Sequence, residues 1–144
     1  MALLLLRHAT AGRRDPRVGK AEDRLRPLDE RGFRQANALP ALYSGYGVQR
    51  VLTSPYVRCR QSVDPLGAVL GLPVEDRVEL AEGVDQSDAW ALIGELASTT
   101  AVLCTHGDVL DHLLGEEPEK GSTWVVDASR DGGLHRRAFL PPPA

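Results

Sequence analysis

The chain has 144 residues, ordinary apolar content and a formal charge of −3. At that length it reads as one domain over 1–144, and the lack of surplus positive charge argues against binding a nucleic-acid duplex. The cations are nearly all arginine, with Lys20 and Lys120 the only lysines; arginine is the better residue for a planar, two-pronged grip on phosphate.

Cys59 and Cys104 stand outside any C-x-x-C spacing and cannot cage zinc between them, so they read as reduced thiols. The opening leucine run is too short for a membrane span and lacks the flanks of a signal peptide. The expectation is a cytoplasmic protein with no membrane partner.

Leu3 to Leu6 form an unbroken apolar run ending in Arg7-His8. Such a run fits a strand buried on both faces, and open α/β sheets bind ligands at the carboxyl ends of their strands. Thr10 to Arg26 is a charged loop with Arg13, Arg14, Arg17, Lys20, Arg24 and Arg26. It leaves from that rim, either as a solvated loop or as a basic flap touching substrate. Asp29 and Glu30 open a helix, with Phe33, Ala36 and Leu39 at helical spacing. Gly45 and Gly47 stop it, and Val48 to Thr53 is the next strand.

Ser54-Pro55 is read as cap and first turn of a second helix, which brings Arg58 to the same rim. Pro65 should kink or shorten that helix. Val74 to Leu80 is a short strand that ends near Glu82. A helix carries Trp90, Leu92 and Ile93, and a buried strand, Thr100 to Cys104, ends in Thr105-His106-Gly107-Asp108. A short helix over Val109–Leu114 follows. Ser122–Ala128 and Leu134–Leu140 pair through the turn Arg130-Asp131-Gly132-Gly133. Alternating strands and helices closing on a hairpin predict a three-layer α/β/α sandwich around a mostly parallel sheet.

Two strands thus end in histidine, with Arg7, Arg58 and Glu82 converging on them. The set has no carboxylate cluster for magnesium and no third ligand for zinc, so no metal or cofactor is expected. It suits phosphoryl transfer through a histidine: His8 attacks phosphorus with its other ring nitrogen bonded to backbone. Arg7, Arg58 and His106 stabilise the equatorial oxygens, and Glu82 handles the proton. Asp108 is a candidate for orienting His106 or a substrate group. His112 and His135 read as structural and surface residues, and Glu116–Lys120 as a solvated loop.

Leu-Leu-Arg-His-Ala, Arg-Pro-Leu-x-x-x-Gly-x-x-Gln-Ala, Thr-Ser-Pro-x-x-Arg-x-x-Gln-Ser, Leu-Ala-Glu-Gly and Leu-Cys-Thr-His-Gly-Asp-Val follow one another from Leu3 to about Gly115. This ordered set resembles the histidine phosphatase superfamily, the phosphoglycerate-mutase-like group. The resemblance implies His8 as phosphorylated nucleophile, Arg7, Arg58 and His106 as phosphate pocket, and Glu82 as proton donor, with Glu79 the rival for that position. Ala9 stands where the family usually has glycine. The loop also lacks the asparagine of many members, for which Arg13 or Arg14 is the candidate replacement.

Ala9 and Arg-Pro-Leu are similar to the short SixA-type phosphohistidine phosphatases and to phosphatase domains fused to Nudix hydrolases. Glu82 and His106 are separated by room for one helix and one strand, without the large cap insertion of the family's sugar-phosphate mutases. An open pocket is therefore expected. A phosphorylated protein histidine is the first substrate expectation and a nucleoside di- or polyphosphate the second. A non-catalytic phosphate-binding regulatory module is the rival from another class.

Overall fold

The computed structural model describes residues 1–129 and 132–143. Its elements run β1 (Ala2–Arg7), α1 (Lys20–Asp23), α2 (Glu30–Leu42), β2 (Arg50–Thr53), α3 (Val57–Leu70) and β3 (Val74–Asp76). A 3-10 turn (Val78–Leu80), α4 (Gln86–Glu95), β4 (Ala101–Thr105), α5 (Gly107–Leu114), β5 (Thr123–Ala128) and β6 (Leu134–Leu140) complete the chain. Six strands form one sheet in the order β3-β2-β4-β1-β5-β6. The pairs β3–β2, β2–β4 and β4–β1 are parallel, and β5 and β6 add an antiparallel edge.

The pleat divides the leucine run between two cores, because alternate side chains of a strand face opposite ways. Leu3 and Leu5 pack with Leu92, Ile93, Leu110 and Leu113 from α4 and α5. Leu4 and Leu6 pack with Leu39, Val63 and Leu66 from α2 and α3. Three layers result, as expected, with β1 and β4 buried at the centre. Arg7 pairs in register with Thr105. His8 and His106 therefore follow two neighbouring strand ends in step.

Several expectations change in detail. The charged loop is not wholly irregular, because Lys20–Asp23 makes one helical turn and Ala11 bridges Leu28. Phe33 is 43% exposed, and the buried face of α2 runs through Gly32, Gln35, Ala36 and Leu39 instead. Ser54 does not cap α3. The helix starts at Val57, and Ser54 turns its hydroxyl to His106, 2.8 Å away. Pro65 sits inside α3 without ending it; the helix runs on to Gly71, which closes it in the left-handed conformation (φ 67°). The strand expected to reach Leu80 stops at Asp76 and becomes a 3-10 turn. Arg130 and Asp131 of the expected hairpin turn lie outside the described residues.

Only α4 and β4 separate Glu82 from His106, so the cap insertion is absent there. Among the described residues no helix is long and apolar enough to cross a membrane.

Candidate active site

The carboxyl ends of β1 and β4 and the start of α3 build the floor of the site. His8 is 4% exposed, and its Nδ1 lies 2.8 Å from the Ala9 carbonyl. A proton on Nδ1 donates to that oxygen and leaves the Nε2 lone pair free. Burial is the main cause that pushes the His8 pKa down to about 3. The Ala9 hydrogen bond opposes the shift, and Arg58 and Arg7 add to it. The size of the shift follows from the depth of burial, which sequence does not reveal. At neutral pH the imidazole is uncharged and nucleophilic.

The small residues around His8 are set by close approach. Ala9 N–H donates to Ser62 Oγ at 2.9 Å, and Ser62 in turn donates to the Arg58 carbonyl at 2.7 Å. The hydroxyl in Gln61-Ser62 thereby ties the strand end that carries His8 to the helix that carries Arg58. Gln61 accepts from Leu28 N–H at 2.9 Å. The glycine of the Arg-Pro-Leu-x-x-x-Gly stretch also has a cause: a Cβ on Gly32 would lie 2.0 Å from the Thr10 carbonyl oxygen. Gly121 N–H donates to the carbonyls of both Arg7 and His8, and its φ of 83° suits glycine.

His106 stands edge-on to His8, ring centres 5.4 Å apart, and edge-on to Tyr56 at 4.7 Å. Burial first, then the nearby His8, Arg58 and Arg7, hold its pKa down to about 2. Ser54 accepts from Tyr56 N–H at 3.3 Å, and its own hydroxyl reaches His106 Nε2 at 2.8 Å. A neutral ring accepting at Nε2 carries its proton on Nδ1. That Nδ1 is buried and has no partner among the described residues; the same is true of Arg7 Nε and Arg58 Nε. Buried donors are normally paired, so three orphaned donors beside His8 mark a cradle for oxygen atoms.

Arg7 is fixed by its Nη1 hydrogen bond to the Pro118 carbonyl at 2.7 Å, and its guanidinium crosses Gly107, where a Cβ would meet Cζ at 3.0 Å. Arg58 is 1% exposed, and Tyr56 lies under its guanidinium at 5.0 Å. Its Nη2 reaches Glu82 Oε2 at 3.4 Å.

Above this floor is an open cavity of about 250 Å³, walled by Arg14, Arg26, Glu82, Glu117 and Lys120 besides the floor residues. Glu82 is half-buried and also lies 3.7 Å from Arg14. Glu79 is held instead by Arg77, whose guanidinium it shares with Glu95, and it does not line the cavity. Arg14 reaches the cavity, whereas Arg13 is exposed and outside its lining. Asp108 lines it too, but its Oδ2 accepts from Gly83 N–H at 2.8 Å. It therefore steadies the turn behind Glu82 rather than His106.

Sequence reasoning missed Asp23 and Lys120 as parts of the site, and named Arg26 only as one cation of the basic loop. Lys120 belongs to the stretch read as a solvated loop, yet it faces the cavity. Burial and then the charges of Arg7, Arg26 and Arg58 lower its pKa. Its signal was faint: one of only two lysines, in a loop otherwise acidic. His112 and His135 stay outside the cavity lining. Cys59 is buried with Sγ 3.5 Å from His106 Nε2, and Cys104 is buried beside it. Among the described residues no group of three or more His, Cys, Asp or Glu is arranged to hold a metal ion.

Comparison with known proteins fits this geometry. A curated relative from Mycolicibacterium smegmatis, named 8-oxo-(d)GTP phosphatase, is 36% identical over 158 aligned residues. The alignment takes in 98% of this chain and 48% of the relative, so the chain spans about half the relative's length. The protein histidine phosphatase SixA complexed with tungstate superposes with a TM-score of 0.80 at 24% identity, covering 99% of this chain and 97% of that one. A mycobacterial glucosyl-3-phosphoglycerate phosphatase gives 0.74 at 16% identity, covering 99% of each chain. These two likenesses speak for the phosphoglycerate-mutase-like fold. The family model of the histidine phosphatase superfamily (branch 1) matches residues 3–90, more than half of the chain. The chain belongs to the histidine phosphatase superfamily.

Proposed function

We propose that this domain is a phosphatase that works through a phosphohistidine on His8, and that its substrate carries more than one phosphate, as a nucleoside di- or polyphosphate does. The observation that carries the substrate reading is the surplus of cations around the cavity. Arg7, Arg58 and His106 suffice for the three equatorial oxygens of one transferring phosphoryl group. Arg14, Arg26 and Lys120 line the same cavity in addition, so that with Arg7 and Arg58 the cations outnumber the carboxylates Glu82, Asp108 and Glu117. Like charges crowded together repel, and a second phosphate relieves that repulsion. The relative named for 8-oxo-(d)GTP supports the same reading.

The first step forms a bond from His8 Nε2 to the terminal phosphorus. The P–O bond to the leaving phosphate breaks with its electron pair, and Glu82 gives that oxygen its proton. In the second step the Glu82 carboxylate takes a proton from water, whose oxygen bonds to phosphorus. The P–N bond breaks, its pair returns to Nε2, and inorganic phosphate leaves. Arg7, Arg58 and the Nδ1–H of His106 hold the oxygens throughout, at positions fixed before substrate arrives. Their charge and hydrogen bonds do the work without a Lewis acid being required.

The test is a turnover screen in excess EDTA. Nucleoside diphosphates and triphosphates are compared with phosphohistidine peptides and a chromogenic aryl phosphate. The expected result is the highest kcat/KM on a nucleoside polyphosphate. Highest turnover on phosphohistidine peptides would move the assignment to a protein substrate. No turnover of any donor would leave a phosphate-binding module.

A further inference from the structure

Asp23 is the one buried carboxylate among the described residues, 3% exposed. It closes the single helical turn of the charged loop. Its Oδ1 accepts from Arg26 Nε at 3.0 Å and its Oδ2 from Arg58 Nη2 at 3.2 Å. Its main-chain carbonyl accepts from Arg58 Nη1 at 2.9 Å. One residue thus grips the Arg58 guanidinium twice and Arg26 once. Arg26 Nη1 continues to the Gly12 carbonyl, and the Arg24 carbonyl accepts from Val57 N–H at 3.0 Å. The loop is thereby pinned to the start of α3.

We infer that Asp23 is a positioning residue for phosphate binding: it aims Arg58 and Arg26 at the cavity and latches the loop that brings Arg14 to it. This rests on the reading of Arg58 as a phosphate ligand.

Two features separate Asp23 from an ordinary ion-pair partner. First, it does not line the cavity, whereas Glu82, the other carboxylate on Arg58 Nη2, does. An incoming phosphate meets Glu82 directly and displaces it from Arg58. Asp23 lies behind the guanidinium and stays in place. Second, its hydrogen bonds occupy Nη1 and one side of Nη2 and leave Arg58 Nε without a partner. The rotation of the guanidinium is fixed while Nε–H stays available to an oxygen. A planar fork held this way binds phosphate with little further ordering. Burial opposes the Asp23 charge, but the Arg26 hydrogen bond and the charges of Arg58, Arg26 and Arg14 keep its carboxyl below the usual range. The counter-charge is therefore permanent at working pH.

The experiment measures binding of inorganic phosphate by calorimetry, kcat and KM on an aryl phosphate, and Tm, for wild type, Asp23→Asn and Asp23→Glu. Asp23→Asn keeps the shape and removes the charge. It is expected to weaken phosphate binding about tenfold and to lower kcat at least tenfold per folded molecule, since Arg58 is then free to rotate. Asp23→Glu keeps the charge but pushes the carboxylate forward. It is expected to fold and to lose kcat while retaining most of its phosphate affinity.

A role confined to stability would lower Tm and leave kcat per folded molecule unchanged, and that result overturns the inference. So does phosphate affinity and kcat within twofold of wild type in Asp23→Asn. If Asp23→Asn fails to fold, Asp23→Glu decides: kcat equal to wild type refutes the role, and a fall of tenfold or more supports it. A wild-type protein that binds phosphate but turns nothing over would sink the functional reading alone. Weaker phosphate binding in Asp23→Asn would then still support the positioning role.

Discussion

The floor and the walls of the cavity are built by different physics. The floor residues, Arg7, His8, Arg58 and His106, stand at strand ends or in the first turn of a helix. Their backbone or side chains are bonded to neighbouring main chain, to Ser54 or to Asp23. The walls, Arg14, Glu82 and Lys120, come from loops; Arg14 is 54% exposed and touches Glu82 across 3.7 Å. A rigid floor can place reacting atoms to a fraction of an ångström, whereas loop cations reach by charge and adapt to what arrives. The floor thus reads as chemistry and the walls as choice of substrate.

Removing the proposed nucleophile is the sharpest way to break this division. His8→Ala is expected to cost at least about 10⁴-fold in kcat on every donor. It should also abolish acid-labile, base-stable phosphate labelling of the protein. Binding of inorganic phosphate should survive, since the cations remain. Full activity in this variant would sink the mechanism. The floor also predicts a stability effect. His8 and His106 have pKa values lowered to about 3 and about 2 by burial, while an unfolded histidine titrates near 6.5. Below pH 6.5 the unfolded chain binds protons that the folded one refuses, so stability falls with falling pH until those low values are reached. Between pH 7 and 5 the loss is about 2 kcal/mol for each histidine. It would be read as denaturation midpoints against pH, and His106→Asn should remove about half of the slope. The acid limb of kcat/KM should likewise not fall near 6.5.

Glu82 stands between the two regions, on a loop but in contact with Arg58. Glu82→Gln is expected to lower kcat about 10²- to 10³-fold on an alkyl phosphate, whose alkoxide cannot leave without a proton, and less on a phosphohistidine peptide, because imidazole is the better leaving group. Equal losses on both donors would point to the water-activating step, which the two substrates share. Rapid-quench measurement of the phosphoenzyme separates the two, since labelled protein accumulates only if the second step is the slow one.

The same division explains what the sequence made legible. Buried strands announce themselves by unbroken apolar runs, so Leu3–Leu6 and Ala101–Cys104 could be placed, and with them His8 and His106. The Thr-Ser-Pro stretch brings Arg58 to the right rim, although Ser54 bonds His106 instead of capping the helix. A serine before proline carries the same local signal whether it caps a helix or bonds a distant histidine. Helical spacing does not say which stripe is wider, and here Gly32 faces inward to let the Thr10 carbonyl approach while Ala36 packs with Ala9 and Leu28. The walls were barely legible. Asp23 and Lys120 sit in stretches whose composition is that of solvated loops, and only the ion pair of Asp23 with Arg58 and the place of Lys120 in the cavity wall distinguish them. Arg13 and Arg14 could not be told apart as neighbours in sequence, yet only Arg14 reaches the cavity.

Lys120 gives the smallest expected effect and the finest test of the walls as selectors. Lys120→Ala should raise KM for a nucleoside diphosphate about tenfold, equivalent to about 1.4 kcal/mol. KM for an aryl monophosphate should change less than twofold, because the floor alone holds one phosphoryl group. The difference should shrink as salt is raised, since part of the interaction is screened. The sign of the pH effect is independent evidence. Burial and the charges of Arg7, Arg26 and Arg58 lower the Lys120 pKa, so in the free enzyme it loses its proton at a lower pH than an ordinary lysine. As pH rises through that region, kcat/KM for the diphosphate should fall while that for the monophosphate does not. Lys120→Arg keeps its charge throughout and should flatten the diphosphate profile. If Lys120→Ala slowed both substrates equally, Lys120 would belong to the floor, and the boundary between chemistry and choice would have to be drawn further out, at Arg14.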